Sequence, residues 1–294
     1  MKYVIWFLLF TFSISAQVKG VVVDENNYPI SYACIWVQNE ELGTTTEEDG
    51  TFSIAITPDK QLIFSAMGFE KQIMSAALSQ KVILKRRAIR LDEVIVEKRK
   101  QTIERIIENK NTQKGTFLTG NKGMLIAKFF PYDSSYKSTK FLKKIIVETR
   151  SKVKDASFKL HLFLKDENGK PGQDLIDEDI IVTVNNGKKE NMIDISKYNL
   201  TFPKEGFFVA CESLLIEKNK YEDEYTIKGS SIKHTEIYFA PGLVSKIAEE
   251  ANTFHWYKGE WIQTKPILNF DKTNEASMFN GKIIEPVINL ILTN

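Results

Sequence analysis

The chain has 294 residues, 43% of them apolar and 27% charged, the balance of a folded protein with enough length for two cores. Forty basic residues against 38 acidic ones leave a formal net charge of +2, which excludes a dedicated nucleic-acid binder of the strongly basic kind. Only two cysteines occur, Cys34 and Cys211; both lie inside apolar runs and read as buried free thiols rather than as a disulfide framework.

Met1-Lys2-Tyr3 is a short, positively charged start, followed by an apolar run from Val4 to Ile14 and the small residues Ser13, Ser15 and Ala16. That is the three-part layout of a secretory signal peptide over residues 1–16. The run is too short for a bilayer about 30 Å thick, which needs about 20 apolar residues. No cysteine follows the small residues, which argues against a lipid anchor, and no later stretch reads as a transmembrane helix. The expectation is an exported protein of the periplasm, the outer membrane or the cell surface.

From Val18 to Phe69, short β-branched and aromatic runs alternate with turn formers every eight to twelve residues or so, the spacing of an all-β sandwich. Thr44-Thr45-Thr46 leads into the acidic turn Glu47-Glu48-Asp49-Gly50, and a strand resumes at Thr51. There Phe52, Ile54 and Ile56 share one face, with Thr51, Ser53 and Ala55 on the other. Gly20 to Asp24, Pro29-Ile30, Ala33 to Val37, Thr45-Thr46, Asp49 to Phe52 and Leu62 to Phe69 together resemble the carboxypeptidase-regulatory-like domain. That is a small transthyretin-like or Ig-like sandwich of Bacteroidetes-type secreted and outer-membrane proteins. The resemblance implies an accessory module over residues 17–96 with no catalytic residues. Leu91 to Val96 resembles the stretch that follows this domain in TonB-dependent receptors, but the roughly 200 residues that remain cannot build a large membrane barrel.

Glu97 to Asn111 places Ile103, Ile106 and Ile107 at helical spacing and predicts a short amphipathic helix; a polar loop follows to residue 123. Residues 97–123 therefore read as a helix and linker. From Met124 the β pattern returns, with about nine or ten short runs and no helical interruption. Phe158, Leu160, Leu162 and Leu164 alternate with Lys159, His161 and Phe163, and Asn186-Gly187 reads as a hairpin turn. Residues 124–294 resemble, in pattern, the antiparallel jelly-roll-like sandwiches of secreted accessory modules.

Candidate chemistry is sparse. His161, His234 and His255 have no second ligand at metal-binding spacing, and His161 reads as an ordinary surface or half-buried residue. No Gly-x-Ser-x-Gly elbow occurs; the nearest cue, Gly242 to Ser245, reads as the start of a short helix through Ala251. Asp174, Asp177 and Asp179 form an acidic cluster with hard oxygen ligands for calcium, or simply a solvated turn. The aromatic hairpin around Lys258-Gly259 carries Trp256, Tyr257 and Trp261. Those rings are either a stacking platform for a sugar or cross-strand core partners, and Trp256 and Tyr257 must face opposite sides. The expectation is a non-enzymatic envelope accessory protein with no cofactor, its first domain a scaffold and its second recognising a glycan or an envelope protein. The alternatives are a structural component of an outer-membrane complex, or a hydrolase with an unrecognised carboxylate pair.

Overall fold

A computed structural model describes residues 17–87, 100–107, 114–226, 231–267 and 280–294. Residues 17–87 form two small sheets. One orders Thr51–Ala55, Gln17–Asp24 and Lys81–Leu84, the last running parallel to its neighbour. The other orders Gly43–Thr45, Cys34–Val37, Gln61–Ser65 and Gln72–Ser75. Phe52, Ile54, Ile35, Leu62, Phe64 and Val82 point between them and are buried. Burying each is worth about 1.5–3 kcal/mol, so this body has a core of its own. Gly50 sits at φ +77°, and a Cβ there would come within 2.7 Å of the Val22 carbonyl oxygen, so the acidic turn requires glycine.

The second body stacks a seven-stranded sheet on an eight-stranded one. The seven-stranded sheet orders Pro171–Asp174, Ala156–Lys165, Phe207–Ser213, Leu125–Phe130, Thr253–Tyr257 and Glu260–Gln263, with Ile180–Val184 also on the edge of Ala156–Lys165. Its inner face carries Phe158, Leu160, Leu162, Phe207 and Val209 into the sandwich core, against Ile145, Leu243 and Leu290. Cys211 belongs to that core, and both cysteines are free.

Because side chains alternate along a strand, the outer face carries the intervening residues. Phe208, Ala210, Ala127, Phe254 and Trp261 form a second buried apolar cluster there. Lys159, His161 and Glu212 lie on this outer face too, and the first body covers them. Tyr32 packs on Leu214 and Ile216. The Leu215 amide donates to Thr45 Oγ1 at 3.1 Å and the Glu217 amide to Glu47 Oε1 at 2.8 Å. Gly123, at φ +74°, lies flat under Trp36, whose ring edge would sit 2.9 Å from a Cβ.

Four local expectations are corrected. Glu104–Ile107, inside the expected helix over 97–111, is a strand paired with Ile288–Thr293, while residues 97–99 and 108–111 lie outside the described residues. Pairing with the free edge of the apolar strand Ile288–Thr293 outweighs the weak helical periodicity of three isoleucines. Lys114–Thr119 is likewise a strand on Lys233–Ala248, so the stretch read as linker supplies two strands to the eight-stranded sheet. Gly242 to Ala248 is not helical; it ends the 16-residue strand Lys233–Ala248, whose Leu243 and Val244 are buried. Finally, Asn186-Gly187 does not close a hairpin. It carries the chain from Ile180–Val184 in one sheet to Gly187–Asp194 in the other. The expected signal peptide and Leu91 to Val96 lie outside the described residues.

Candidate functional site

Where the first body meets the outer face, a cleft of about 460 Å³ remains. That is within the range of small-molecule sites, about 300–1,000 Å³. Trp36 and Phe69 from the first body face Phe163, Trp256 and Trp261 from the second across it. The Trp256 and Trp261 rings meet edge to face, with centroids 5.4 Å apart, and Lys71 sits 5.7 Å from the Trp256 ring centroid.

The hairpin residues separate as alternation requires. Trp256 and Trp261 are opposite one another in the register and both line the cleft. Trp261 is buried and Trp256 half-buried. Tyr257 is on the other side of its strand, exposed, with the Lys258 ammonium 5.2 Å from its ring centroid. Lys258 and Gly259 both have positive φ, 49° and 95°, as a two-residue type I′ turn demands.

The polar wall of the cleft is a connected network. The Cys34 thiol donates to Glu212 Oε1, and Glu212 Oε2 is 2.8 Å from His161 Nε2. Lys159, wholly buried, donates to the Tyr32 carbonyl at 2.7 Å and pairs with Asp179 at 2.9 Å. Arg87 reaches from the first body to Asp174 and Asp177 at 3.4 and 3.6 Å. His161 also stacks on Phe163 with nearly parallel rings, centroids 5.3 Å apart.

These contacts set the protonation states. Burial alone would raise the Glu212 carboxyl, but His161, Lys159 and the Cys34 thiol outweigh it and hold it at about 2. Burial, reinforced by the Glu212 charge, pushes the Cys34 thiol well up, so it stays protonated. Burial pulls the Lys159 ammonium down, but Asp179 and Glu212 more than compensate, and it remains a cation. Asp174 moves up through burial, against the opposing pull of His161 and Arg87.

A nucleophilic cysteine needs its thiolate and an adjacent base, whereas Cys34 is a protonated donor to a carboxylate. Asp174 raised and Glu212 lowered is the division of labour of an acid–base pair. Yet both Glu212 oxygens already accept hydrogen bonds, which makes it an anchor.

His161 is half-buried, one of the two placements expected of it, and it belongs to a network of titratable side chains through Glu212 that the sequence did not signal. His234 stacks on Tyr225, 5.5 Å between centroids, and His255 is half-buried with its imidazole pushed down by burial. Neither lines the cleft. The calcium candidates are divided between two cations, Asp174 and Asp177 on Arg87 and Asp179 on Lys159. Among the described residues no three His, Cys, Asp or Glu side chains gather as a metal ion requires. Lys159, Glu212 and Arg87 were not foreseen. The available signal was a charged residue in each of two strands whose neighbours on the same face, Phe163 and Phe208, are apolar.

Residues 18–96 match the model of the CarboxypepD_reg-like domain. Over 85 residues the chain is 33% identical to the TonB-dependent receptor SusC of Bacteroides thetaiotaomicron, a match covering 29% of this chain and 8% of the receptor. Among solved structures, the cysteine protease and lectin-like domains of Cwp84, a surface layer associated protein of Clostridium difficile, align at 12% identity. That alignment covers 85% of this chain and 49% of the other, with a TM-score of 0.35. The infectious bursal disease virus Gt strain structure aligns at 9% identity over 94% of this chain and 59% of the other, with a TM-score of 0.24. Likenesses this distant say nothing about function.

Proposed function

We propose that this is a non-catalytic accessory protein of the bacterial cell envelope that binds a glycan in the cleft between its two β bodies. The observation that carries the reading is the facing set of tryptophans, Trp36 on one side and Trp256 and Trp261 on the other, around a cleft of about 460 Å³. Aromatic faces bury the apolar side of a pyranose, while a few fixed polar groups read its hydroxyls. On this reading the first body is more than a scaffold, since it supplies one wall. Tyr257 lies outside the cleft.

The test is a glycan array probed with the purified mature chain, followed by calorimetry on any hit with wild type and Trp256→Ala. Binding to a defined glycan class that Trp256→Ala weakens tenfold or more supports the reading. No binding across the array refutes it. The likeness of the first body to part of a TonB-dependent receptor favours one further reading, a structural component of an outer-membrane complex. Co-purification with such a receptor, unaffected by Trp256→Ala, would select that reading instead.

A further inference from the structure

Lys71, Arg87 and Lys159 line the cleft, and two of these cations are already paired. Lys159 holds Asp179 at 2.9 Å, and Arg87 holds Asp174 and Asp177 at 3.4 and 3.6 Å. Lys71 is exposed and has no carboxylate within ion-pair distance among the described residues. Its ammonium lies over the Trp256 ring instead, 5.7 Å from the centroid. That ring is the half-buried member of the platform, and it also packs on Trp261 and the apolar cluster of the sheet. The unpaired cation of the cleft therefore stands where a stacked sugar would lie.

That position separates three classes of sugar. A neutral sugar on Trp256 takes the place of the ammonium and offers it nothing in return. A sugar bearing an ammonium meets like charge there. A sugar bearing an anionic group keeps the ammonium as a partner, and charge-assisted hydrogen bonds form as the ring stacks.

We infer that the cleft selects an acidic sugar, its ring on Trp256 and its carboxylate or sulfate on the Lys71 ammonium. The inference rests on the glycan reading above and names the class of glycan and the residue that selects it. The carboxylates that line the cleft bear on it unequally. Glu40 is paired with Lys60, Asp174 with Arg87, and Glu212 is engaged by the Cys34 thiol and His161. Glu70, exposed and next to Lys71 in the chain, has no ion pair among the described residues and works against an anion. Removing its charge should strengthen the preference that removing the Lys71 charge abolishes.

The experiment uses the purified chain with the methyl glycosides of glucuronic and galacturonic acid, the matching neutral glucoside and galactoside, and the 6-sulfates of those two. At about 10 mM salt, where the Debye length is about 30 Å, at least one acidic sugar should bind about fivefold more tightly than its neutral counterpart. That ratio is about 1 kcal/mol. It should shrink at about 1 M salt, where the Debye length is about 3 Å. Which acidic sugar shows it tells a carboxylate from a sulfate. Lys71→Gln should erase the preference and Glu70→Gln enlarge it; both positions are exposed, and circular dichroism checks that both variants fold. If sugars bind and Trp256→Ala weakens them, but acidic ones bind no more tightly, or Lys71→Gln keeps the preference, or Glu70→Gln reduces it, the inference fails and the glycan reading stands. If no sugar, acidic or neutral, binds wild type, both fail.

Discussion

Replacing Glu212 with glutamine removes the only charge in the cleft that the Cys34 thiol, His161 and Lys159 address together. The carboxyl is held at about 2 in the folded chain, against an ordinary value of 4.5. A folded value below the unfolded one means the unfolded chain binds the proton more readily between those limits. The stabilisation is therefore complete above pH 4.5 and is lost as pH falls towards 2. At about 1.4 kcal/mol per unit, the gap of roughly 2.5 units is worth about 3 kcal/mol. Linkage puts about 1.4 kcal/mol of that loss already at pH 3.5. Glu212→Gln has no proton to exchange, so the pH-dependent part of the difference between the two chains reports this carboxyl together with its coupling to His161. Urea unfolding at pH 7, 5, 4 and 3.5, followed by tryptophan fluorescence and far-UV circular dichroism, measures it. Trp36, Trp256 and Trp261 all line the cleft, so fluorescence reports on the interface itself. The gap between wild type and variant should close by about 1.4 kcal/mol from pH 7 to 3.5. A gap that stays constant over that range would refute the account of Glu212 as an ionised anchor.

Other expectations follow from the same kind of argument. Lys128 and Lys246 share the Glu285 carboxylate between the two sheets of the second body, at 3.0 and 3.2 Å. Burial, with Lys128 beside it, lowers the Lys246 ammonium to about 8, so its charge costs the fold below pH 8 and the cost is relieved as pH rises to 10.5. Lys246→Met should therefore melt higher than wild type at pH 7 and lose that advantage by pH 10; equal melting points at pH 7 would count against it. Lys159→Met strands Asp179 and leaves Glu212 one cation short, and should cost about 3–5 kcal/mol in chemical unfolding. Gly123→Ala combines a positive φ with a Cβ 2.9 Å from Trp36, so a loss of about 1–3 kcal/mol is expected in the same assay, together with a shift in tryptophan emission.

Most of the fold was legible because strands with one buried face announce themselves by alternation. Phe52, Ile54 and Ile56, and likewise Phe158, Leu160 and Leu162, point inward as the pattern requires. Lys258-Gly259 was legible as a turn because only positive φ closes a two-residue hairpin with the right twist. The failures have a common cause in tertiary context. Glu104–Ile107 becomes a strand because Ile288–Thr293 offers it an edge, a partner more than 180 residues away. The cleft was hidden for the same reason. Cys34 and Glu212 are 178 residues apart in sequence, and nothing local signals that they touch.

The alternation that revealed the core also concealed the site. A polar residue on every second position reads as a solvated outer face, and that reading is correct only if nothing covers the sheet. Here the outer face of the seven-stranded sheet carries rings and small apolar side chains among its polar ones. Such a face does not tolerate water over its whole area, and the first body covers it. Covering a mixed face leaves charges to be matched, and the chain matches them across the boundary: Cys34 to Glu212, Tyr32 to Lys159, Arg87 to Asp174. Each pair takes one partner from each body and at least one member of each pair lines the cleft, so this part of the interface also forms the polar wall of the cleft. Substitutions that weaken binding through this wall should therefore also loosen the two bodies from one another, whereas Trp256→Ala, which removes a ring that is only half-buried, should weaken binding alone. Limited proteolysis of the two classes of variant separates these effects. A Trp256→Ala chain cleaved between the bodies as readily as Lys159→Met would show that the ring acts as interface and not as platform.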